Sequence, residues 1–450
     1  METKTNGSET NRPIGSTTVD LESLGRAVTE IVRQTPVIDV HTHLFPREFG
    51  RLNLFGIDDL LTYHYLVAEY FRYGAVEPAS FFSMPRAEQA EHIYRTIFVE
   101  NTPLSEAARG LITVIRSLGI NPASTSLAEL RSFFVNQDLA EHVGRVFELA
   151  NVDSVVMTND PFDNEEIAAW NAAETMDRKF RPALRMDRLL NDWPGACEFL
   201  SRKGSNISPH LGDRAITAVR RYLDEAAEQM QPLYLAASLP DSFVYPSGDI
   251  RNRLIEEVML PLARDLSLPV MVMIGVRRGV NVSLGPAGDG VGRADVASVE
   301  RLCAANPDIR FLATFLSREN QHELCVSARK FSNLTPFGCW WFLNNPSIIT
   351  EITSERLELL GTTFIPQHSD ARVLEQLIYK WSHSREVIAE CLTRSYERLI
   401  RSGYRLEHSR IRHDVLDLLQ NNFKRCVGLA EGSVDATANN NIREDLHLAS

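Results

Sequence analysis

Short apolar runs that end on polar residues alternate along this chain with stretches whose apolar positions recur at helical spacing. The runs are Val37–His41, Val152–Thr158, Arg181–Asp187, Leu233–Ser238, Val270–Gly275, Phe311–Ser317, Leu334–Trp341 and Thr363–Asp370. Val37, Ile38 and Val40 give the first run the β-branched character of a buried strand, and the apolar runs ending on polar residues read as strands with helical crossovers between them. Eight strands separated by helices predict an α/β fold, a closed (β/α)8 TIM-like barrel in preference to an open sheet. The interval between the first two strands is too long for one crossover. It carries helical patterns at Asp58–Arg72, Arg86–Phe98, Ser105–Leu118, Ser126–Val135 and Leu139–Ala150. We read 50–150 as a helical insertion forming a layer above the barrel mouth, within a barrel domain spanning 19–430. The polar stretches 1–18 and 431–450 predict a disordered N-terminal tail and a flexible C-terminal one. No internal repeat is visible.

Composition narrows the function classes. The chain has 450 residues, 44% hydrophobic and 24% charged, as in ordinary globular proteins. A net charge of −12 argues against a nucleic-acid surface or a polybasic membrane anchor. An anionic small substrate stays compatible, because a local arginine cluster can override the global field. No apolar run reaches the length of a membrane span, and the N-terminus lacks the apolar core of a signal peptide. The six cysteines (Cys197, Cys303, Cys325, Cys339, Cys391 and Cys426) form no CxxC pair and read as reduced core residues. A cytoplasmic location is expected.

In such barrels the chemistry sits at the C-terminal ends of the strands. Those ends offer His41 and His43, then Thr158, Asn159 and Asp160, then Arg185 and Asp187, Met273 and Arg277, Trp340 and Trp341, and finally His368, Asp370 and Arg372. Residues two apart on a strand point to one side, so His41 and His43 present two imidazoles to one point. A His-x-His at a turn can also be simple polar punctuation. Closing the barrel brings the last strand beside the first, and Asp370 completes a two-His, one-carboxylate set with open positions for water or substrate. Zn2+ is the default ion for such a set, and Mn2+ or Fe2+ fits the same donors. Asp370 is also the natural proton acceptor beside an activated oxygen.

Arg185 and Arg372 suit a carboxylate, since the planar guanidinium makes paired hydrogen bonds. An arginine at a strand end is otherwise a solvated or salt-bridged group. On a strand, Trp340 and Trp341 would face opposite ways, one lining the mouth and one packing outward. Trp340 is then either a sugar platform or ordinary core. His210, after Ser-Pro in a loop, is a candidate ligand contact, and His368 shares the strand face of Asp370. The glycine-rich segment 285–292 lacks a phosphate-loop ending and reads as a loop over the mouth, a candidate lid.

Several segments in order resemble the amidohydrolase superfamily and, within it, the uronate isomerases, over about residues 36–395. PVIDVHTHL resembles the first-strand metal motif. LLTYHYLVAEYFR resembles the segment whose active-site tyrosine falls on Tyr65. VVMTNDPFDN, RPALRMD, CWWFLN and HSDAR resemble the later motifs, placing Arg185, Trp340, metal-binding Asp370 and substrate-binding Arg372. The resemblance implies a metal-dependent enzyme that interconverts a uronic acid aldose and its keto form by proton transfer through an enediol. Its partner would be a small acidic sugar or hydroxy-carboxylate, and a homo-oligomer is expected because barrels of that superfamily commonly assemble. Two departures stand out. The isomerases end the fifth strand in His-Ile-Gly, where this chain has Met273, and their Ser-Asp-His-Gly appears as Ser208-Pro209-His210-Leu211. A thioether carries no proton. Met271 reads as core filling, and Met273, by its aligned position, points toward the active site. The alternative is a divergent hydrolase, decarboxylase or lyase acting on a hydroxy-carboxylate or sugar acid.

Overall fold

A computed structural model describes residues 18–429 except 75 and 206. The two terminal tails lie outside the described residues but for Thr18, which bridges to Glu407. Seven parallel strands curl in the order β1 (Val37–Thr42), β2 (Val152–Asn159), β3 (Phe180–Arg185), β4 (Leu235–Pro240), β5 (Val270–Arg277), β7 (Phe311–Phe315) and β8 (Leu334–Pro336). The two-residue β6 (Gly290–Val291) folds back on the end of β5 as an antiparallel partner.

The eighth expected strand, Thr363–Asp370, forms no regular ladder. A single bridge joins Ile365 to Phe337. Beyond it Pro366 has no N–H to give, and side chains take over the pairing. Gln367 Oε1 accepts from the N–H groups of Cys339 and His368, at 2.8 and 3.0 Å. On the other flank, Ser369 N–H donates to Asp39 Oδ1 at 3.1 Å and Asp370 N–H to the His41 carbonyl at 3.2 Å. His43 N–H donates back to the Ala371 carbonyl at 2.7 Å. The segment thus closes the barrel between β8 and β1, leaving Asp370 at a left-handed φ of 51°. That conformation is uncommon outside glycine and best tolerated by Asp or Asn.

Four apolar bodies hold this frame, the smallest of them around Leu343, Ile349 and Val387. Ile38, Val40, Val156, Met271, Met273 and Leu312 fill the barrel interior. A second cluster joins the outward faces of β3, β4, β5 and β7 to their helices. The third joins the N-terminal helix Leu21–Gln34, the long helix Gln376–Arg401 and the segment between β1 and β2. That segment is a succession of short helices. The Asp58–Arg72 pattern divides into Ile57–Leu61 and His64–Arg72, with Tyr63 extended between them (φ −66°, ψ 141°). The break swings Tyr63 and His64 toward the barrel mouth.

The tandem tryptophans depart from expectation. β8 stops at Pro336, Gly338 takes a φ of 64° and Trp341 one of 46°. Strand alternation no longer applies, and both indoles line one cavity. The cysteines are all unpaired.

Candidate metal centre and its cavity

β1 ends with His41 and His43 side by side, their ring centroids 5.4 Å apart and nearly perpendicular. Asp370 Oδ1 lies 3.8 Å from His41 Nε2 and 3.4 Å from His43 Nε2. The three donor atoms fall within 4.8 Å of one another. The Thr158 hydroxyl donates to the Thr42 carbonyl at 3.1 Å and lies 3.0 Å from His43 Nδ1. With its one proton given away, that oxygen accepts from Nδ1–H and leaves the Nε2 lone pair facing Asp370. Burial, reinforced by its neighbour His43, pushes His41 down to about 3. Burial, with the guanidiniums of Arg372 and Arg185, holds His43 well below the imidazole range. Two neutral imidazoles and a carboxylate beside an open cavity are donors suited to a divalent cation.

Asp39 braces this corner from behind. Fully buried, it accepts from Ser369 N–H and from the Trp381 indole N–H at 2.8 Å. Burial raises its carboxyl to about 6 against those hydrogen bonds. His368 is entirely enclosed, 5.5 Å from the His41 ring, and burial lowers it to about 3. Its position behind His41 keeps it out of the cavity wall.

A cavity of about 510 Å³ opens over the three donors. Arg185, Arg372, Trp340, Trp341, Tyr63, His64 and Ser238 line its inner part. Arg185 Nε donates to Asp187 Oδ2 at 2.7 Å, and Asp187 Oδ1 accepts Ser238 N–H at 3.0 Å. The arginine is therefore aimed before any ligand arrives. Burial raises the Tyr63 phenol, as does the charge of Asp370, while Arg372 opposes the rise. Burial lowers His64 to about 3, and Arg372 adds to that. Farther out, Leu284, Pro286, Ala287 and Asp289 face Val67, Phe82 and Arg86 across the mouth. The glycine-rich segment read as a candidate lid thus contributes part of the roof, and the Arg278–Asp289 ion pair closes its base.

The predicted site residues divide accordingly. His41, His43, Asp370, Arg185, Arg372 and Trp340 come together on one cavity. Tyr65 does not line it. Its hydroxyl is enclosed without a hydrogen-bond partner, and the Lys380 ammonium sits 5.0 Å from its ring. Tyr63, two residues earlier, takes the place at the wall. His210 is exposed in its loop and stands apart from the cavity. Met273 lies in the barrel interior with Met271 instead of in the cavity wall, as strand alternation requires of residues two apart. Tyr63, His64 and Thr158 are residues the sequence reading left without a role, and Trp341, set opposite Trp340 in that reading, lines the same cavity. Alternation could have found Thr158, since the end of β2 runs beside that of β1.

No family model matches the chain, and no curated protein does. Solved structures do. A uronate isomerase from Bacillus halodurans C-125 is 46% identical and superposes with a TM-score of 0.90, covering 92% of this chain and 98% of its own. A uronate isomerase from Thermotoga maritima (14% identical, TM-score 0.74) covers 91% of this chain and 100% of its own. A glucuronate isomerase from Caulobacter crescentus (16% identical, TM-score 0.74) covers 92% and 95%. The last two share the fold.

Proposed function

This chain belongs to the uronate isomerase family, and from that premise we propose that its cavity binds a hexuronic acid and moves a proton between C2 and C1. The observation that carries the reading is the convergence of His41, His43 and Asp370 with Arg185 and Arg372 on one cavity. His41, His43 and Asp370 would hold one divalent ion, Zn2+ in our reading, with Mn2+ or Fe2+ the other ions these donors accept. When bound, that ion supplies Lewis acidity toward the substrate's carbonyl and hydroxyl oxygens.

The remaining work falls to side chains. Arg185 and Arg372 take the carboxylate, each with a fork of N–H donors, and Asp187 keeps Arg185 oriented. Asp370 accepts the C2 proton and delivers it to C1 through an enediol, while the O2–H proton passes to O1, so that the C2 hydroxyl becomes a carbonyl and the C1 carbonyl a hydroxyl. Trp340 walls the sugar face. Tyr63 and His64 reach the same cavity and are placed to hydrogen-bond substrate hydroxyls, where the family resemblance puts an active-site tyrosine at Tyr65. Tyr65, His210, His368 and Met273 do not reach the cavity, so their support in this reading is the sequence pattern alone.

A cytoplasmic homo-oligomer acting on a small acidic sugar, with no nucleic-acid or membrane partner, completes the reading. Unpaired cysteines and a net charge of −12 support it. No helix among the described residues is long and apolar enough to cross a membrane. No observation favours the hydrolase, decarboxylase or lyase alternative. The test is to load metal-free protein with Zn2+, supply D-glucuronate and D-galacturonate, and follow ketose formation. Conversion of either supports the reading, and no turnover across a panel of uronates sinks it.

A further inference from the structure

Outside the cavity wall, Glu375 receives the Gly56 N–H on both carboxylate oxygens, at 3.1 and 3.2 Å. Its Oε1 also lies 2.7 Å from His142 Nε2, and both side chains are completely enclosed. Both Glu375 oxygens already act as acceptors for the Gly56 N–H, and the His142 Nε2–H is placed to donate to Oε1. Three pieces of chain meet here: the start of the helical insertion, its last helix Leu139–Ala150, and the turn that follows Arg372.

What these pieces carry gives the contact its meaning. Gly56, at φ 100°, precedes the helix Ile57–Leu61, after which the chain turns Tyr63 and His64 into the cavity. On the other side, Gln376 Oε1 accepts from the N–H groups of Arg372 and Val373 at 2.9 and 3.1 Å. Leu374 N–H donates to the Leu54 carbonyl at 2.9 Å. The metal donors are fastened elsewhere, through Thr158 and through the bond from Asp370 N–H to His41.

We propose that Glu375 and His142 are a positioning pair that sets Tyr63 and His64, carried by the insertion, against Arg372, carried by the barrel. In its kinetic part this rests on the uronate isomerase reading. Phe55 and Phe134 surround the His142 ring, with centroids at 6.3 and 5.8 Å, so a phenylalanine can fill its space without donating.

The test compares His142→Phe, His142→Gln and Glu375→Gln in the full-length, Zn2+-loaded protein. Readouts are bound zinc, amide hydrogen exchange over residues 54–65, and kcat and KM on the uronate that the parent protein converts. His142→Phe should keep its zinc, exchange faster over 54–65, and lose about tenfold to a hundredfold in kcat/KM through misplacement of substrate contacts. His142→Gln, which restores an N–H donor, should recover most of that loss. Glu375→Gln, a milder change, should move the same readouts the same way and serves where phenylalanine prevents folding. Parent-like exchange and kcat/KM in His142→Phe and Glu375→Gln overturn the proposal, as does a glutamine no better than phenylalanine. If the parent converts no uronate, the substrate reading fails, and exchange with zinc content still decides on the pair.

Discussion

The Thr158 hydroxyl sits 3.0 Å from His43 Nδ1 while giving its own proton to the Thr42 carbonyl, so a threonine on β2 decides which nitrogen of a β1 histidine is bare. Partners of this kind fix the tautomer of a metal-binding imidazole, and losing them weakens metal affinity about 10- to 100-fold. Thr158→Val, nearly isosteric, should weaken zinc binding by about that factor, and Thr158→Ser should retain it. Competition against a chelator of known affinity measures both. Equal affinity in the valine variant and the parent would remove Thr158 from the metal centre.

Asp370 combines a left-handed backbone with the carboxylate assigned to proton transfer. Asparagine tolerates the same φ and keeps one carbonyl donor, so Asp370→Asn should fold. It cannot take a proton. A positioned general base contributes about 10²- to 10⁴-fold, and kcat should fall by at least the lower figure. Single-turnover exchange of the C2 deuteron in labelled substrate separates this step from product release. Proton loss at the parental rate would assign the base to another group.

The repeating strand pattern made most of the barrel legible, because β1 to β5 are short, largely buried runs that pair with one another through backbone ladders. Thr363–Asp370 was harder, since Gln367, Ser369 and Asp39 do by side chain what a ladder does by backbone, and periodicity carries no trace of that. Among the cavity residues, His41, His43 and Asp370 could be read from strand ends alone. Tyr63 could not, because its place depends on a break between two helices where the sequence shows one amphipathic pattern. Met273 was assigned by alignment to a histidine position. Its face was legible all the same, being the one shared with Met271.

That burial gives Met273 a definite prediction. A residue in the barrel interior tolerates a hydrophobic replacement of similar volume at a cost below about 1.5 kcal/mol. Met273→Leu should therefore shift thermal unfolding only slightly and leave kcat and KM within about twofold of the parent. A large rise in KM with unchanged stability would return Met273 to the cavity wall.

Glu166 supplies a pH dependence whose sign is fixed by its surroundings. It lies on the helix Asn164–Ala172, buried against the end of β2, accepting from Asp160 N–H at 3.0 Å and from the Asn159 amide at 3.3 Å, and burial raises its carboxyl to about 8. In the unfolded chain it returns to the ordinary glutamate range near 4.5. Below that range both states hold the proton and the group is neutral to stability. Between there and about 8 the folded state keeps a proton that the unfolded state has released, so stability falls as pH rises. One such group limits the slope to about 1.4 kcal/mol per pH unit. Glu166→Gln keeps an acceptor for Asp160 N–H and removes the titration. Urea unfolding at pH 5 and pH 8 should show the variant gaining on the parent at the higher pH, because only the parent must strip or bury a charge there. A parent-to-variant difference that stays constant between the two pH values would mean that Glu166 titrates normally in the folded protein.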